Sequence, residues 1–298
     1  MSQAHLGETA ALLTALFWTV SALAFEGATK RVGAFAVNLI RLVFALVFLS
    51  ILSYFLRGIA FPVDASAHAW IWLGLSGVVG FILGDYFLFS SYPIIGSRMA
   101  MLLMTLAPPI AALTGWLMLD ETLSFKGLAG MVLVLTGIAI AIWNRPNNKE
   151  KIKLRYPLKG ILYGILGAVG QGGGIVLSKY GMGSYNAFAA TQVRIIVSVA
   201  GFILIIAVLN RWKNIVKPFR NKKAVKGITV GSFFGPFLGV SFSLLAVQNI
   251  NSGIASTIMA MVPVFIIVPS VIIYKQKVTV AEVAGAFLSV FGVALFFV

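Results

Sequence analysis

The chain has 298 residues, of which 60% are hydrophobic and only 10% are charged. A mean hydropathy of +0.99 excludes a water-soluble fold, in which about 25% of residues would be charged. The absence of cysteine excludes disulfides, cysteine-ligated zinc and a thiol nucleophile. The net charge of +15 comes mostly from Lys and Arg residues between apolar runs, where they encode membrane orientation, so a nucleic-acid partner is not expected.

Ten apolar runs are long enough to cross a bilayer, because a helix needs about 20 residues to span a hydrocarbon core of about 30 Å. The runs are too long and too continuous for barrel strands, so the sequence predicts an all-α integral membrane protein with ten transmembrane helices. In chain order these are Thr9–Phe25, Ala34–Leu56, Trp70–Ser90, Met99–Leu119, Phe125–Trp143, Leu158–Ser178, Ala187–Leu209, Gly227–Val247, Gly253–Tyr274 and Thr279–Val298. No basic stretch precedes the first run, which is therefore expected to be a retained span rather than a cleaved signal.

An internal repeat relates the two halves of the chain. An offset of 155 residues, without a gap, superposes Gly80 on Gly235, Gly84 on Gly239, Ser97 on Ser252, Met104 on Met259, Pro108 on Pro263, Gly130 on Gly285 and Gly137 on Gly292. Because each half holds five helices, an odd number, the second half must enter the membrane from the opposite face. The sequence thus predicts two inverted five-helix repeats, residues 1–144 and 158–298, joined by a basic linker at 145–157.

Inverted repeats allow two similar bundles to exchange conformations, which opens a shared midplane cavity first to one face and then to the other. This alternating access predicts a secondary transporter, whereas a duplication that only stabilises the bundle is the alternative. A channel or lipid scramblase would be a transport protein without a carrier cycle. A membrane enzyme is not expected, because the spans lack a cluster of catalytic side chains.

The segment Asp120-Glu121-Thr122-Leu123, followed by Gly130 and Gly137, resembles the EamA-type repeat of the drug/metabolite transporter superfamily. In the second half, Tyr274-Lys275-Gln276-Lys277 replaces the acidic pair, so a role that depends on that carboxylate is not expected there. The resemblance implies a ten-helix transporter whose cavity is lined mainly by the first, third, fourth, sixth, eighth and ninth helices. It also implies that both termini lie in the cytoplasm.

Few ionisable residues fall inside the predicted spans, where each costs about 2.5 to 3.5 kcal/mol and is therefore a candidate functional group. Arg41 lies early in the second helix and Asp85 late in the antiparallel third helix, so both are predicted near the same membrane face. They are either a gate or substrate-facing ion pair, or a snorkelling Arg with a structural partner. Asp85 is the one predicted buried proton carrier, which makes a proton the candidate coupling ion. A passive or exchange mechanism without a coupling ion is the alternative, and no cofactor or metal is expected.

Arg194 is the repeat partner of Arg41, since Ala34-Phe35-Ala36 and Arg41 match Ala187-Phe188-Ala189 and Arg194 at an offset of 153 residues. The position that matches Asp85 is Val240, beside Ser241, so the symmetry breaks there. The planar fork of Arg194 could attract an anionic group of a substrate, such as a carboxylate. The alternative is again an Arg that snorkels to the interface.

The other candidates are polar, aromatic or helix-breaking residues in the spans. Pro108 and Pro263 are predicted to kink the fourth and ninth helices, either to shape a cavity or only for packing. Glycines around Gln171 favour close helix packing. Trp18 and Tyr86 are equally expected to form an aromatic wall of a cavity or to pack between helices. The predicted substrate-binding residues are Trp18, Ser21, Asp85, Tyr86, Gln171, Arg194 and Ser241.

The distribution of basic residues predicts the orientation. Most Lys and Arg residues lie after the first, third, fifth, seventh and ninth helices, which places those connectors in the cytoplasm and both termini outside. This disagrees with the orientation that the family resemblance implies. The sequence as a whole predicts a multi-pass carrier of a bacterial inner membrane that exports or exchanges amino acids or related small metabolites. Its partners are a small-molecule substrate and the lipid bilayer, and it is expected to be a monomer, with a homo-oligomer as the alternative.

Overall fold

The computed structural model describes residues 3–119, 125–144, 153–210, 212, 215, 217–250, 255, 258–275 and 278–295. Its helices are α1 (Gln3–Val32), α2 (Ala34–Arg57), α3 (Ala67–Gly77), α4 (Asp85–Leu103), α5 (Ala107–Leu119), α6 (Phe125–Ile142), α7 (Leu158–Met182), α8 (Ala187–Leu209), α9 (Lys222–Ser232), α10 (Val240–Asn249), α11 (Val262–Phe265), α12 (Ile267–Tyr274) and α13 (Val280–Leu295). Two-residue strands, β1 (Trp143–Asn144) and β2 (Lys153–Leu154), pair antiparallel between α6 and α7.

Short tighter or wider helical turns join several of these helices. A π-helical segment, Val78–Gly84, connects α3 to α4, and a second one, Phe233–Gly239, connects α9 to α10. A 3₁₀ turn, Met104–Leu106, connects α4 to α5, and another, Lys217–Arg220, precedes α9. Segments of π-helix are rare and are frequently found at functional sites.

Seven helical runs in the described part of the chain are long and apolar enough to cross a membrane, and two shorter apolar helices, Val262–Tyr274 and Val280–Leu295, follow them. The protein is therefore an all-helical, multi-pass membrane protein. One of the seven runs, Ala67–Met118, has 52 residues. It is interrupted at Gly96, whose φ of 78° lies in the left-handed region that favours glycine.

The helix bounds agree with the predicted spans to different degrees. Helix α8 has the predicted bounds, Ala187–Leu209. Helix α1 continues to Val32, well beyond the predicted end at Phe25, and carries Glu26 into the packed part of the protein. The acidic segment at residues 120–124, the start of the ninth predicted helix at Gly253 and the last residues of the tenth lie outside the described residues.

The internal repeat is visible in the backbone. The two π-helical segments begin at Val78 and Phe233 and end at Gly84 and Gly239, so both pairs of ends differ by the same 155 residues as the sequence repeat. Identical local distortions at equivalent positions are not expected by chance, because a π-helical segment needs a specific local cause.

The contact between α6 and α13 has the same symmetry. A Cβ added to Gly137 would overlap Gly285, and one added to Gly292 would overlap Gly130. Since Gly130 and Gly285 are repeat partners, as are Gly137 and Gly292, each contact becomes the other when the halves are exchanged. This is the pattern that a two-fold axis produces at a self-complementary interface.

Helix α7 packs closely on the first π-helical segment. A Cβ added to Gly170 would overlap the Cα of Gly84, and one added to Gly174 would lie 3.1 Å from the Cα of Gly80. Small residues at such crossings let two helix backbones approach, and the close van der Waals packing that results contributes to helix association in a bilayer. The glycine-rich stretch of α7 thus has a packing role in the structure.

Candidate functional site: a cavity between the repeats

A cavity of about 160 Å³ lies in the middle of the helix bundle. Its wall is mostly apolar, with a few polar and charged side chains, as is usual for sites that bind small molecules. The lining comes from α1, α2, the first π-helical segment, α4, α5, α7, α8, the second π-helical segment, α10 and the chain from residue 259 to residue 263. The helices that the family resemblance implies all contribute, and α2 and α8 add one arginine each.

Equivalent positions of the two repeats both line this cavity. Pairs of lining residues that are 155 positions apart are Phe81 and Pro236, Asp85 and Val240, Leu88 and Ser243, Phe89 and Leu244, Met104 and Met259, Thr105 and Ala260, Ala107 and Val262, and Pro108 and Pro263. The backbone of the site is therefore nearly symmetric, whereas its chemistry is not. The acidic member of the lining, Asp85, is matched by an apolar valine.

Arg41 and Asp85 form a buried ion pair in the cavity wall, with residues 3% and 5% exposed. Arg41 donates from Nη2 to Asp85 Oδ2, and from Nε to Asn38 Oδ1 at 3.1 Å. The other carboxylate oxygen of Asp85 accepts a hydrogen bond from Gln171 Nε2 at 2.5 Å. Asn38 also donates to the backbone carbonyl of Asp85 at 3.3 Å. Both oxygens of the carboxylate are thus occupied by protein donors.

Arg194 reaches the same cavity from α8. Its guanidinium lies 4.6 Å from the centre of the Phe81 ring, while the Arg41 guanidinium lies 5.5 Å from that ring and 4.7 Å from the Phe89 ring. Such cation–π contacts stabilise a desolvated cation. Arg194 is 4% exposed, and its Nε has no hydrogen-bond partner among the described residues.

Most of the residues predicted from the sequence line the cavity. These are Trp18, Ser21, Arg41, Asp85, Pro108, Gln171, Arg194 and Pro263. Tyr86 does not: its ring packs edge-on against Phe35 and Phe87, and the residue is 38% exposed, because one step along the helix from Asp85 turns the side chain by about 100°. Ser241 also lies outside the lining, and Ser243 of the same helix takes part instead.

Two buried carboxylates, Glu26 and Glu282, lie away from the cavity and are not among the residues that the sequence singled out. Glu26 is fully buried and accepts hydrogen bonds from the backbone N–H of Ser97 at 2.8 Å and from its hydroxyl at 2.5 Å. Its other oxygen accepts from Lys30 Nζ at 2.5 Å. Ser97 directly follows the break at Gly96. The hydrogen bonds to Glu26 therefore connect the last part of α1 to the part of α4 that follows the break.

The second carboxylate, Glu282, joins α13 to α4 and to the chain before α7. It accepts from Arg98 Nη2 at 3.0 Å and from the Tyr156 hydroxyl, and Arg155 lies 3.7 Å away. Burial and the hydrogen bond to Glu282 raise the pKa of Tyr156. The signal that could have found this site is Thr279-x-x-Glu282, a capping box that places the carboxylate at a helix start.

A multi-pass helical protein whose duplicated halves share a central cavity has the architecture of a solute transporter. A family model described as the EamA-like transporter family matches residues 5–143 and 158–298, and the chain belongs to this family. It is a membrane transporter and not an enzyme.

The fold is also similar to a solved structure titled only "Crystal structure of protein", with a TM-score of 0.67 and 17% sequence identity. That alignment covers 97% of this chain and 95% of the other. No curated protein sequence matches the chain significantly.

Proposed function

We propose that this transporter is a secondary carrier that moves small metabolites, amino acids or related compounds, by alternating access, and that it works as an exporter or exchanger. The observation that carries the proposal is the cavity, which is lined by equivalent positions of both repeats. A site on a pseudo-two-fold axis can be opened to either face by exchanging the conformations of the two halves.

The proposal includes ten transmembrane helices in two inverted repeats, at residues 1–144 and 158–298, with residues 145–157 as a basic linker. The break at Gly96 supports counting Ala67–Met118 as two spans, because an unbroken helix of that length would be about 78 Å long, against a hydrocarbon core of about 30 Å. The antiparallel pairing of β1 and β2 joins the end of the first proposed repeat to the chain just before the second.

Pro108 and Pro263 are proposed as paired bends that shape the cavity. Both prolines line the cavity at equivalent positions. Pro108 lies two residues after the 3₁₀ turn Met104–Leu106, and Pro263 lies in the first turn of the short helix α11. A proline inside a spanning helix frees a carbonyl, which is tolerated where it faces protein or a polar cavity.

Asp85, Arg41 and Gln171 are proposed as the polar network that senses the transported compound or a coupling proton. Their burial and mutual hydrogen bonds support this role, since ionisable groups at this depth are costly and are kept mainly where they act. A bacterial inner membrane as the location and a monomer as the working unit complete the proposal.

The experiment is uptake of radiolabelled amino acids, organic acids and sugars into proteoliposomes that contain the full chain, with and without a pH gradient. Wild type is compared with Asp85→Asn and with a matched control, Asp64→Asn, which removes a carboxylate from the loop between α2 and α3. We expect saturable uptake that is stimulated by substrate on the far side, that Asp85→Asn reduces at least tenfold and that Asp64→Asn leaves unchanged.

Other results would favour another function. Uptake that rises linearly with concentration, without stimulation from the far side, would indicate a channel. Movement of fluorescent lipids between leaflets without solute uptake would indicate a scramblase. If a pH gradient drives uptake in wild type but not in Asp85→Asn, Asp85 is the proton site; if uptake ignores the gradient, the protein is a facilitator or exchanger.

A further inference from the structure

We infer that Arg194 binds the anionic group of the substrate, so that the transported compound is an organic monoanion with an apolar body. This inference rests on the proposed carrier function and adds the chemical class of the substrate. It also favours organic acids over zwitterionic amino acids among the compounds proposed above.

The first argument is the charge balance of the cavity. Among the described residues that line it, the charged side chains are Arg41, Asp85 and Arg194. Asp85 forms its ion pair with Arg41, and its second oxygen is held by Gln171. Asp85 also attracts Arg194, but this carboxylate is already paired with Arg41, so the charged side chains of the lining leave one net positive charge in the cavity.

The second argument is the state of the Arg194 guanidinium. Its Nε finds no acceptor among the described residues although the side chain is almost completely buried. A buried donor that makes no hydrogen bond is costly, so this N–H is expected to bind an acceptor that is not part of the described protein, a water or a ligand. Phe81 covers one face of the guanidinium at 4.6 Å, which leaves the N–H groups along its edge for a planar acceptor. A carboxylate matches this edge with two parallel hydrogen bonds.

The third argument is the rest of the wall, which is mostly apolar. Trp18, Phe25, Phe89, Met104 and Met259 line the cavity. Its volume of about 160 Å³ is comparable to the cavity of about 150 Å³ that holds benzene in a well-studied engineered protein. The site therefore suits a body about the size of one ring, attached to the carboxylate.

Binding of four probes to the purified full chain in lipid nanodiscs tests the inference, measured by isothermal titration calorimetry at neutral pH. The probes are phenylacetate, its uncharged amide phenylacetamide, the cation 2-phenylethylamine, and acetate, which has the charge without the ring. We expect phenylacetate to bind roughly 10- to 100-fold more tightly than phenylacetamide, the range that hydrogen bonds to a charged group provide. The amine and acetate should also bind more weakly than phenylacetate.

Three variants locate the effect. Arg194→Gln should remove the preference for phenylacetate over phenylacetamide, and Arg194→Lys should keep part of it, because the charge stays but the fork is lost. Arg220→Gln, which removes an exposed arginine of the turn before α9, should change nothing. If Arg194→Gln does not fold, the relative affinities of the four probes for wild type still test whether the site prefers an anion with an apolar body.

The inference is overturned if wild type binds none of the probes, if the amide or amine binds as tightly as phenylacetate, or if Arg194→Gln keeps the preference. If acetate binds as tightly as phenylacetate, the inference that the substrate has an apolar body is overturned. Saturable uptake of neutral or cationic solutes in proteoliposomes, without phenylacetate binding, would leave the proposed carrier function intact. Absence of saturable flux for every solute would overturn the carrier function even if phenylacetate binds.

Discussion

Arg98 donates to Glu282 at 3.0 Å and thereby joins the part of α4 that follows Gly96 to the first turn of α13, in the other half of the chain. Both residues are less than one-tenth exposed. The positions equivalent to Glu282 and Glu26 are Gly127 and Lys179 at the respective offsets of 155 and 153 residues, so the repeat does not reproduce these buried carboxylates. The two carboxylate contacts therefore strengthen one end of the bundle more than the other.

Glu282→Gln should lower the free energy of unfolding by about 1 to 3 kcal/mol, because a hydrogen-bonded buried charge is lost while Arg98 stays buried. The measurement is the thermal melting of the purified protein, in a double-mutant cycle with Arg98→Gln. The two changes should be non-additive, with a coupling of about 0.5 to 3 kcal/mol.

Glu8→Gln serves as the control for this cycle, since it removes an exposed carboxylate from the same protein. It should leave the melting temperature unchanged. Equal melting temperatures for Glu282→Gln and Glu8→Gln would show that the Glu282 cluster does not stabilise the fold.

Asp85→Asn and Arg41→Gln should each destabilise the protein, because each leaves one member of a buried ion pair without its partner, at a cost of roughly 3 to 5 kcal/mol. The double variant Arg41→Gln/Asp85→Asn should melt at a higher temperature than either single variant, since no unpaired charge of the pair is left. Melting of a fluorescent-protein fusion in detergent measures this. If the destabilisation of the double variant equals the sum of the two single destabilisations, Arg41 and Asp85 do not stabilise the protein as an ion pair.

Gly170→Ala should lower the free energy of unfolding by about 1 to 3 kcal/mol, because the new methyl group would overlap the backbone of Gly84, which cannot move aside like a side chain. Gly173→Ala is the matched control on the same helix. There an added Cβ would lie 3.6 Å from the nearest atom, a methyl group of Val79, at ordinary contact distance.

Gly173→Ala should therefore be neutral or slightly stabilising, since alanine favours a helix by up to about 1 kcal/mol over glycine. Thermal melting and expression level are compared for the two variants. If Gly170→Ala and Gly173→Ala have the same melting temperature, the close crossing of α7 and the first π-helical segment does not contribute measurably to stability.

Asp64 gives a prediction for pH. Partial burial raises the pKa of this carboxyl group, but hydrogen bonds from Arg57 and Tyr185 lower it more, so its pKa lies below the ordinary value of 3.8. A carboxyl group with a lowered folded-state pKa stabilises the protein above its ordinary pKa, and the contribution is lost as the pH falls through the folded-state value. The side chain is 44% exposed, so solvent screening keeps the effect small.

Wild type should thus melt slightly above Asp64→Asn at pH 7, and the difference should shrink as the pH falls below the ordinary carboxyl value of 3.8. Melting curves of both proteins across this range are the measurement. A difference that stays constant with pH would mean that the charge of Asp64 is not its cause.

The sequence predicted the long helices well where apolar residues were continuous. The bounds of α8 are correct because hydropathy ends abruptly at both sides of that run. The predicted span ends at Phe25 because charged residues follow it, but helix α1 continues to Val32. Length and composition report the average preference of a segment for lipid, and they contain no information on which neighbouring helix supplies partners for a charge.

Only part of the candidate site could be predicted, because the sequence shows the depth of a residue in the membrane but not which helices lie beside it. Arg41 and Asp85 could be placed together because both lie at known depths in antiparallel helices, and the structure brings them into contact. That Arg194 reaches the same cavity and shares the ring of Phe81 with Arg41 could not be read from depth alone. Tyr86 was misplaced because the direction of a side chain around a helix depends on the rotation of that helix in the bundle.

By itself, the sequence determined that this is a helical membrane protein built from a repeat, because backbone hydrogen bonding in lipid permits few other solutions and because duplication leaves matching residues. The tertiary structure alone decided which polar groups are partners: Gln171 with Asp85, Ser97 with Glu26 and Arg98 with Glu282. Those pairings join residues from 71 to 184 positions apart. They depend on how whole helices pack, and a local pattern in the chain does not encode that packing.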